Sequence, residues 1–148
     1  MTSKISDEEL VNLFNKNKLF NLFNMTVLEV NTDAGSIKME FEVEQKYCNP
    51  AGDVQGGIVS GMVDDATALA FIFQNHFKKI PPTIELKTNF LYPTKPGKVI
   101  GYGQVVKSGK NIAFLEGRLE QNNRTVVTAT STCVIVDMPQ VNLKKMMG

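Results

Sequence analysis

The stretch NPAGDVQGGIVSGMVDDATALAF, Asn49 to Phe71, decides the fold of this 148-residue chain. Its turn-forming residues end at a glycine pair, 56–57, and apolar residues then recur at helical spacing to about Asn75. They occupy most of the helix circumference rather than one stripe. This pattern predicts a long helix that is wrapped by other structure, although two adjacent acids, Asp64 and Asp65, lie in its middle.

The segments on either side of this helix are mostly extended. SDEE, residues 6–9, is a capping box that predicts a first helix from about Asp7 to Lys16 or a little beyond. Two strands follow, and the second, SIKMEFEVEQ, alternates apolar and charged residues as a half-buried antiparallel strand does. After the long helix come four strand-like segments separated by turn residues: TIELKTNFLY, KVIGYGQVVKS, NIAFLEGRLEQ and RTVVTATSTCVIVDM.

This order of elements predicts an α+β fold, in which an antiparallel sheet of about six strands curls around one central helix. The last four strands are expected to form a continuous antiparallel meander or hairpin series. One domain over residues 1–148 is expected, with an N-terminal helical segment at 1–24 and a flexible tail at 139–148.

Composition excludes several classes of function. The formal charge of +1, with scattered Lys and Arg, gives no basic surface for nucleic acid or for an anionic membrane. No run approaches the roughly 18 apolar residues of a membrane span, and the start has acids where a signal peptide needs apolar residues. A soluble, cytoplasmic protein is expected. A two-histidine metal site within one chain is excluded because His76 is the sole histidine.

The glycine pair and the acids suggest a site. At the helix start the first N–H groups lack partners, and Gly56 and Gly57 let a substrate carbonyl approach them closely; glycine that merely permits close packing is the alternative. Asp64 shares its face with small residues that leave room for a ligand or a second helix, and a buried carboxylate needs a partner or a function. Asp65 lies about 100° away and is expected to be structural or a supporting partner.

Distance adds a prediction that neither feature makes alone. Gly56 and Asp64 are eight residues apart, which is about 12 Å along an α-helix. A base and an oxyanion donor must both lie within about 3 Å of the reacting group or its water. The site is therefore expected to be shared by two subunits whose helices run antiparallel.

At this point the sequence resembles the hotdog-fold acyl-CoA thioesterases, especially the phenylacetate-degradation type. Their characteristic segment has Asn, then Gly, then His-Gly-Gly and an acid nine residues after the His; here it is Asn49, Gly52, residues 55–57 and Asp64. NFLYPTKPG, residues 89–97, and GKNIAF, at 109–114, resemble two later segments of the family. The resemblance runs from about residue 25 to residue 136.

The resemblance implies roles for individual residues. Gly56 would supply the N–H that polarises the thioester carbonyl, and Asn49 would position the water or the thioester. Asp64 of the partner subunit would be the general base or the nucleophile, and Thr83 would help to hold the water. The family's His is Gln55 here, which can donate a hydrogen bond but cannot carry a proton.

The remaining implied residues bind substrate. The acyl group would lie between two central helices in a pocket lined by Val63, Phe71 and Phe90. Lys107 and Lys110 would meet the CoA phosphates, with plain solvated charges as the alternative.

The sequence therefore predicts an acyl-CoA thioesterase that acts as a homodimer or a dimer of dimers and uses no metal or redox cofactor. Hotdog dehydratases rely on a catalytic His and rank below this prediction. A non-catalytic acyl-thioester binding or sensing domain is the alternative that Gln55 supports.

Overall fold

The computed structural model describes residues 5–16 and 22–139. Helix α1, Asp7–Lys16, begins at the predicted residue, and the residues directly after Lys16 lie outside the described part of the chain. Its capping box is present, because the Ser6 N–H donates to Glu9 Oε2 at 2.8 Å and the Glu9 N–H donates to Ser6 Oγ at 3.2 Å. Of the two predicted terminal segments, residues 1–4, 17–21 and 140–148 lie outside the described part of the chain.

One six-stranded antiparallel sheet contains most of the strands. The elements that follow α1 are β1 (Thr26–Asn31), β2 (Ser36–Val43), α2 (Gly56–Gln74), β3 (Lys79–Ile80), β4 (Thr83–Phe90), β5 (Gly97–Ser108), β6 (Ile112–Gln121), β7 (Arg124–Val134) and β8 (Val136–Asp137). The sheet order is β1-β2-β5-β6-β7-β4, and β3 pairs separately with β8. The α+β architecture and the half-buried β2 strand are thus confirmed.

The predicted meander of the last four strands is wrong at β4. Strands β5, β6 and β7 are consecutive neighbours, but β4 pairs with β7 and β5 pairs with β2. Turn residues after β4 indicate a change of direction and do not reveal which strand comes next to it. β4 therefore lies at an edge of the sheet, with one side unpaired among the described residues.

Helix α2 packs on the inner face of the sheet where two strand glycines meet. Gly103 in β5 and Gly117 in β6 are paired across the two strands. A Cβ atom at Gly103 would collide with the backbone carbonyl of Ala66, and one at Gly117 would lie 2.8 Å from Thr67 Cγ2. These glycines let the helix backbone approach the sheet closely.

The apolar character of α2 belongs to a core helix. An 18-residue window has a mean hydropathy of 1.4, so by length and composition alone α2 could cross a membrane. The expectation that no segment approaches a membrane span was wrong, because it considered only uninterrupted runs of apolar residues and not the mean hydropathy of a whole helix. Half of that window is buried inside the fold, and the side chains of Val59, Met62, Ala66 and Phe73 are at most 2% exposed.

Candidate active site

The loop before α2 is folded by one asparagine. Asn49 Oδ1 accepts hydrogen bonds from the N–H groups of Ala51 at 2.9 Å and Asp53 at 3.2 Å, and the Asn49 N–H donates to the Asp53 carbonyl at 2.7 Å. Gly52 completes the turn with φ +82°. Asn49 thus shapes the loop that carries Gln55, and its Oδ1 atom already accepts two hydrogen bonds. Its contact with water or with the thioester stays a prediction, and the Nδ2 group would make that contact.

The start of α2 presents two free backbone donors. Gln55 is the N-cap, its side chain makes no capping bond, and its carbonyl accepts from Ile58 and Val59. Within the described chain the N–H groups of Gly56 and Gly57 have no acceptor. With the positive end of the helix dipole, they form an anion-receptive pair.

One aromatic ring borders this pair. Phe90 Cζ lies 3.4 Å from the place of a Cβ atom at Gly56, whereas Gly57 faces open space. The Phe90 side chain is 55% exposed. Phe90 is therefore beside the free donors, and its contact with the substrate stays a prediction.

Asp64 and Thr83 come together at the other end of this region. Thr83 Oγ1 donates to Asp64 Oδ1 at 3.2 Å. Burial raises the pKa of the Asp64 carboxyl, and the hydrogen bond from Thr83 opposes that shift. Asp64 is thus a partly desolvated carboxylate held by a hydroxyl, which suits a general base or a nucleophile.

The neighbouring Asp65 is less solvated. Its Oδ2 atom is buried and has no hydrogen-bond partner in the described part of the chain. Burial, and then the charge of Asp64, raise the pKa of Asp65 to about 7. Asp65 therefore carries a proton over much of the acidic and neutral range, and no described group acts as the structural partner expected for it.

The two halves of the predicted site lie at opposite ends of β4. Thr83, beside Asp64, begins this strand, and Phe90, beside Gly56, ends it. Helix α2 is continuous between Gly56 and Asp64, which places them about 12 Å apart along its axis. The structure therefore does not bring the oxyanion donors and the carboxylate of one chain to a common point.

The other predicted site residues fall in two places. Val63 and Phe71 are 0% exposed and belong to the core, so their role in lining an acyl pocket stays a prediction. Lys107 and Lys110 are exposed in the β5–β6 hairpin. Across the sheet, Thr83 pairs with Cys133, Cys133 with Ala113, and Ala113 with Ser108. Ser108 lies next to Lys107 and close to Lys110 in the chain, so both lysines are at the same end of the sheet as Thr83 and its partner Asp64.

Two features of the site region were not found from the sequence. Lys95 contacts the Asp53 carboxylate, and the Val54 N–H donates to the Thr94 carbonyl at 2.8 Å, so the loop before Gly56 is anchored to the loop after β4. Such a contact between distant segments has no local signal. Phe23 packs on Gly61 of α2, and a glycine inside a helix was the available signal for it.

Comparison with known proteins places this fold in a class. The sequence profile of the thioesterase superfamily matches residues 51–128. A crystallised phenylacetic acid degradation-related protein of Ralstonia eutropha is 30% identical, with a TM-score of 0.72 over 76% of this chain and 85% of that one. Human acyl-coenzyme A thioesterase 13 is 25% identical over 72% of this chain and 76% of that protein.

A further structure shows the same fold. A Streptococcus mutans protein bound to acetyl CoA has a TM-score of 0.69 at 19% identity, over 79% of this chain and 92% of that one. The fold is the hotdog fold, as the sequence predicted. The chain belongs to the thioesterase superfamily.

Proposed function

We propose that this protein is an acyl-CoA thioester hydrolase that releases a free acid and CoA. Membership of the thioesterase superfamily supports thioester hydrolysis as the class of reaction. The observation that carries the proposal is the pair of chemical groups at the two ends of β4. Free N–H groups at Gly56 and Gly57 can receive an oxyanion, and the Asp64 carboxylate, held by Thr83, can activate water.

The reaction needs only these groups and water. The Gly56 N–H polarises the thioester carbonyl while Asp64 takes a proton from water, whose oxygen bonds to the carbonyl carbon. The resulting oxyanion is stabilised at the helix start. The C–S bond then breaks, and the CoA sulfur receives the proton from Asp64. If Asp64 instead attacks the carbonyl directly, water hydrolyses the resulting anhydride and the products are the same.

We propose that two subunits complete each site. β4 has an unpaired edge in the described chain, with Ile84, Phe90 and Leu91 at least 51% exposed at and just beyond its ends. Such an edge is a template for pairing with another strand. A two-fold axis beside the free edge of β4, level with the middle of the strand, would pair β4 with its copy and bring Asp64 of one subunit toward Gly56 of the other. A homodimer, or a dimer of dimers, is the assembly that follows.

The substrate class rests on chemistry and on relatives. The acetyl CoA bound to the Streptococcus mutans protein and the name of the human relative support an acyl-CoA substrate. Lys107 and Lys110 lie exposed at the Asp64 end of the sheet and carry the charge that CoA phosphates require. We expect neither a metal nor a redox cofactor, and we expect the protein to act in the cytoplasm.

Release of CoA thiol from a panel of acyl-CoAs tests the activity. Wild-type protein should hydrolyse at least one ester, and Asp64→Asn should lose activity while the control Asp137→Asn, an exposed carboxylate of β8, should not. The rival proposal, a binding or sensing domain without catalysis, is supported by Gln55 in place of the family His. Binding of acyl-CoA without turnover above background would establish that rival.

A mixture of two inactive variants tests the shared site. Gly56→Pro removes an N–H donor and Asp64→Asn removes the carboxylate, so each homodimer should be inactive. A heterodimer of the two variants keeps one intact site if Gly56 and Asp64 of different chains work together. About half of the wild-type activity per dimer is expected, whereas no recovery in a purified heterodimer would refute sharing.

A further inference from the structure

Phe23 contacts the central helix through a glycine. Its ring atoms Cζ and Cε2 lie 3.3 and 3.4 Å from the place of a Cβ atom at Gly61. The ring also makes an edge contact with Tyr47, with centroids 5.8 Å apart. Any other residue at position 61 would push on the ring, so the glycine allows Phe23 to lie directly on the helix backbone.

The backbone around Phe23 is held in an unfavourable conformation. Phe23 and Asn24 have φ values of 55° and 49°, in the left-handed region that non-glycine residues rarely adopt. Asn24 Nδ2 donates to the Glu42 carbonyl at 3.2 Å and to Glu44 Oε1 at 3.4 Å. These bonds hold the turn that contains Phe23 against the C-terminal end of β2. A conformation of this kind persists only where the surrounding structure enforces it.

Phe23 lies one helical turn from the free donors. Gly57 and Gly61 are four residues apart and therefore share one side of α2, at a separation of about 6 Å along the axis. Gly57 faces open space, whereas Gly61 is covered by the Phe23 ring. A group that lies along this side of α2, from the helix start toward Gly61, therefore meets the Phe23 ring.

We propose that Phe23 determines acyl chain length in this protein. The inference rests on the proposed thioesterase function and deepens it. With the thioester carbonyl at the helix start, the acyl group runs along α2 and the Phe23 ring forms the end wall of its binding space. The substrates are then short-chain acyl-CoAs, because about 6 Å separates the two positions. A purely structural Phe23 would instead affect every substrate equally.

Chain-length preference measured on two variants tests this inference. Values of kcat/KM for butyryl-, octanoyl- and dodecanoyl-CoA are compared among wild type, Phe23→Ala and the control Phe114→Ala. Phe114 is 48% exposed and lies between two buried β6 residues, so its ring is on the outer face of the sheet. Phe23→Ala should raise the dodecanoyl-to-butyryl ratio by about tenfold or more, as expected for removal of a pocket wall, and Phe114→Ala should leave it unchanged.

Gly61→Ala supplies an independent variant that keeps the Phe23 ring. Its Cβ atom would press on the ring, so the preference should move further toward butyryl-CoA, and this effect should disappear when Phe23 is also Ala. Equal changes for all three substrates in Phe23→Ala would overturn the inference. So would a Gly61→Ala effect that is the same with and without Phe23.

Failure of the proposed function gives a different result. If the wild type hydrolyses neither these three esters nor any other in the acyl-CoA panel, the thioesterase proposal fails, and dissociation constants for the three esters are measured by calorimetry. Phe23→Ala should then strengthen binding of dodecanoyl-CoA relative to butyryl-CoA. An unchanged ratio of dissociation constants would overturn the role of Phe23.

Discussion

Replacing Gly56 by proline tests the proposed oxyanion donor with little disturbance of the backbone. Gly56 is the first residue of α2, a position where proline is favoured because its missing N–H had no intrahelical partner. Gln55 has φ −58° and ψ 138°, an extended conformation that a residue before proline requires. The substitution therefore removes one N–H group and is compatible with the local fold.

Gly56→Ala is the matched control. It keeps the N–H group, and its Cβ atom would lie 3.4 Å from Phe90 Cζ, an ordinary contact. Both substitutions restrict the unfolded chain, so neither should lower the thermal midpoint of unfolding. The difference in activity between the two variants then reports the N–H group alone.

The expected loss follows from measured oxyanion sites. Removal of one donor lowers kcat by about 10²–10³, or about 2.7–4 kcal/mol of transition-state stabilisation. We expect this ratio between Gly56→Ala and Gly56→Pro in steady-state hydrolysis of the best acyl-CoA, with KM changing less than kcat. If folded Gly56→Pro keeps kcat within about threefold of Gly56→Ala, the Gly56 N–H is not the donor and the mechanism is wrong.

Three further substitutions test the acids and the core. Because burial raises the pKa of Asp65 to about 7, the folded state binds more protons than the unfolded state between about pH 4 and pH 7. The free energy of unfolding therefore falls as the pH rises through this range. Asp65→Asn should remove up to about 4 kcal/mol of this fall, which urea unfolding at several pH values measures. Thr83→Val removes the hydrogen bond that lowers the pKa of Asp64, so the acid limb of the kcat/KM profile should move to higher pH. Gly103→Ala drives a Cβ atom into the Ala66 carbonyl. It should lower the free energy of unfolding by about 3 kcal/mol or more, as overpacking against backbone does, and thermal unfolding measures this loss.

Each of these expectations has a contradicting outcome. An unchanged pH dependence of stability in Asp65→Asn would mean that its carboxyl titrates normally in the folded protein. An acid limb that stays in place in Thr83→Val would separate Thr83 from the titration of Asp64. A Gly103→Ala variant as stable as wild type would show that α2 does not approach the sheet at this point.

Local pattern was sufficient for the individual elements. The capping box at Ser6 predicted the start of α1, and the alternation of β2 placed Ile37, Met39, Phe41 and Val43 in the core. α2 ends one residue before its predicted end near Asn75. These features follow from hydrogen bonds and periodicities within a few residues, which the sequence specifies directly.

Contacts between distant segments were decided by the tertiary structure. β4 could lie next to β5, its neighbour in the chain, or next to β7, its observed neighbour in the sheet. The outcome depends on how the whole sheet closes around α2, and turn residues carry no information about it. The same holds for the hydrogen bond between Thr83 and Asp64, which joins the start of β4 to the middle of α2. The raised pKa of Asp65 likewise arises from burial that no local pattern reveals.

The sequence by itself determined the helix that carries the site, the glycine pair at its start and the 12 Å that separates Gly56 from Asp64 along it, because helix geometry converts residue spacing into distance. The tertiary structure decided what surrounds that helix: Phe90 beside the donors, Thr83 beside the carboxylate and Phe23 over Gly61. These neighbours come from strands and turns far away in the chain, and only packing of the complete sheet against the helix brings them together.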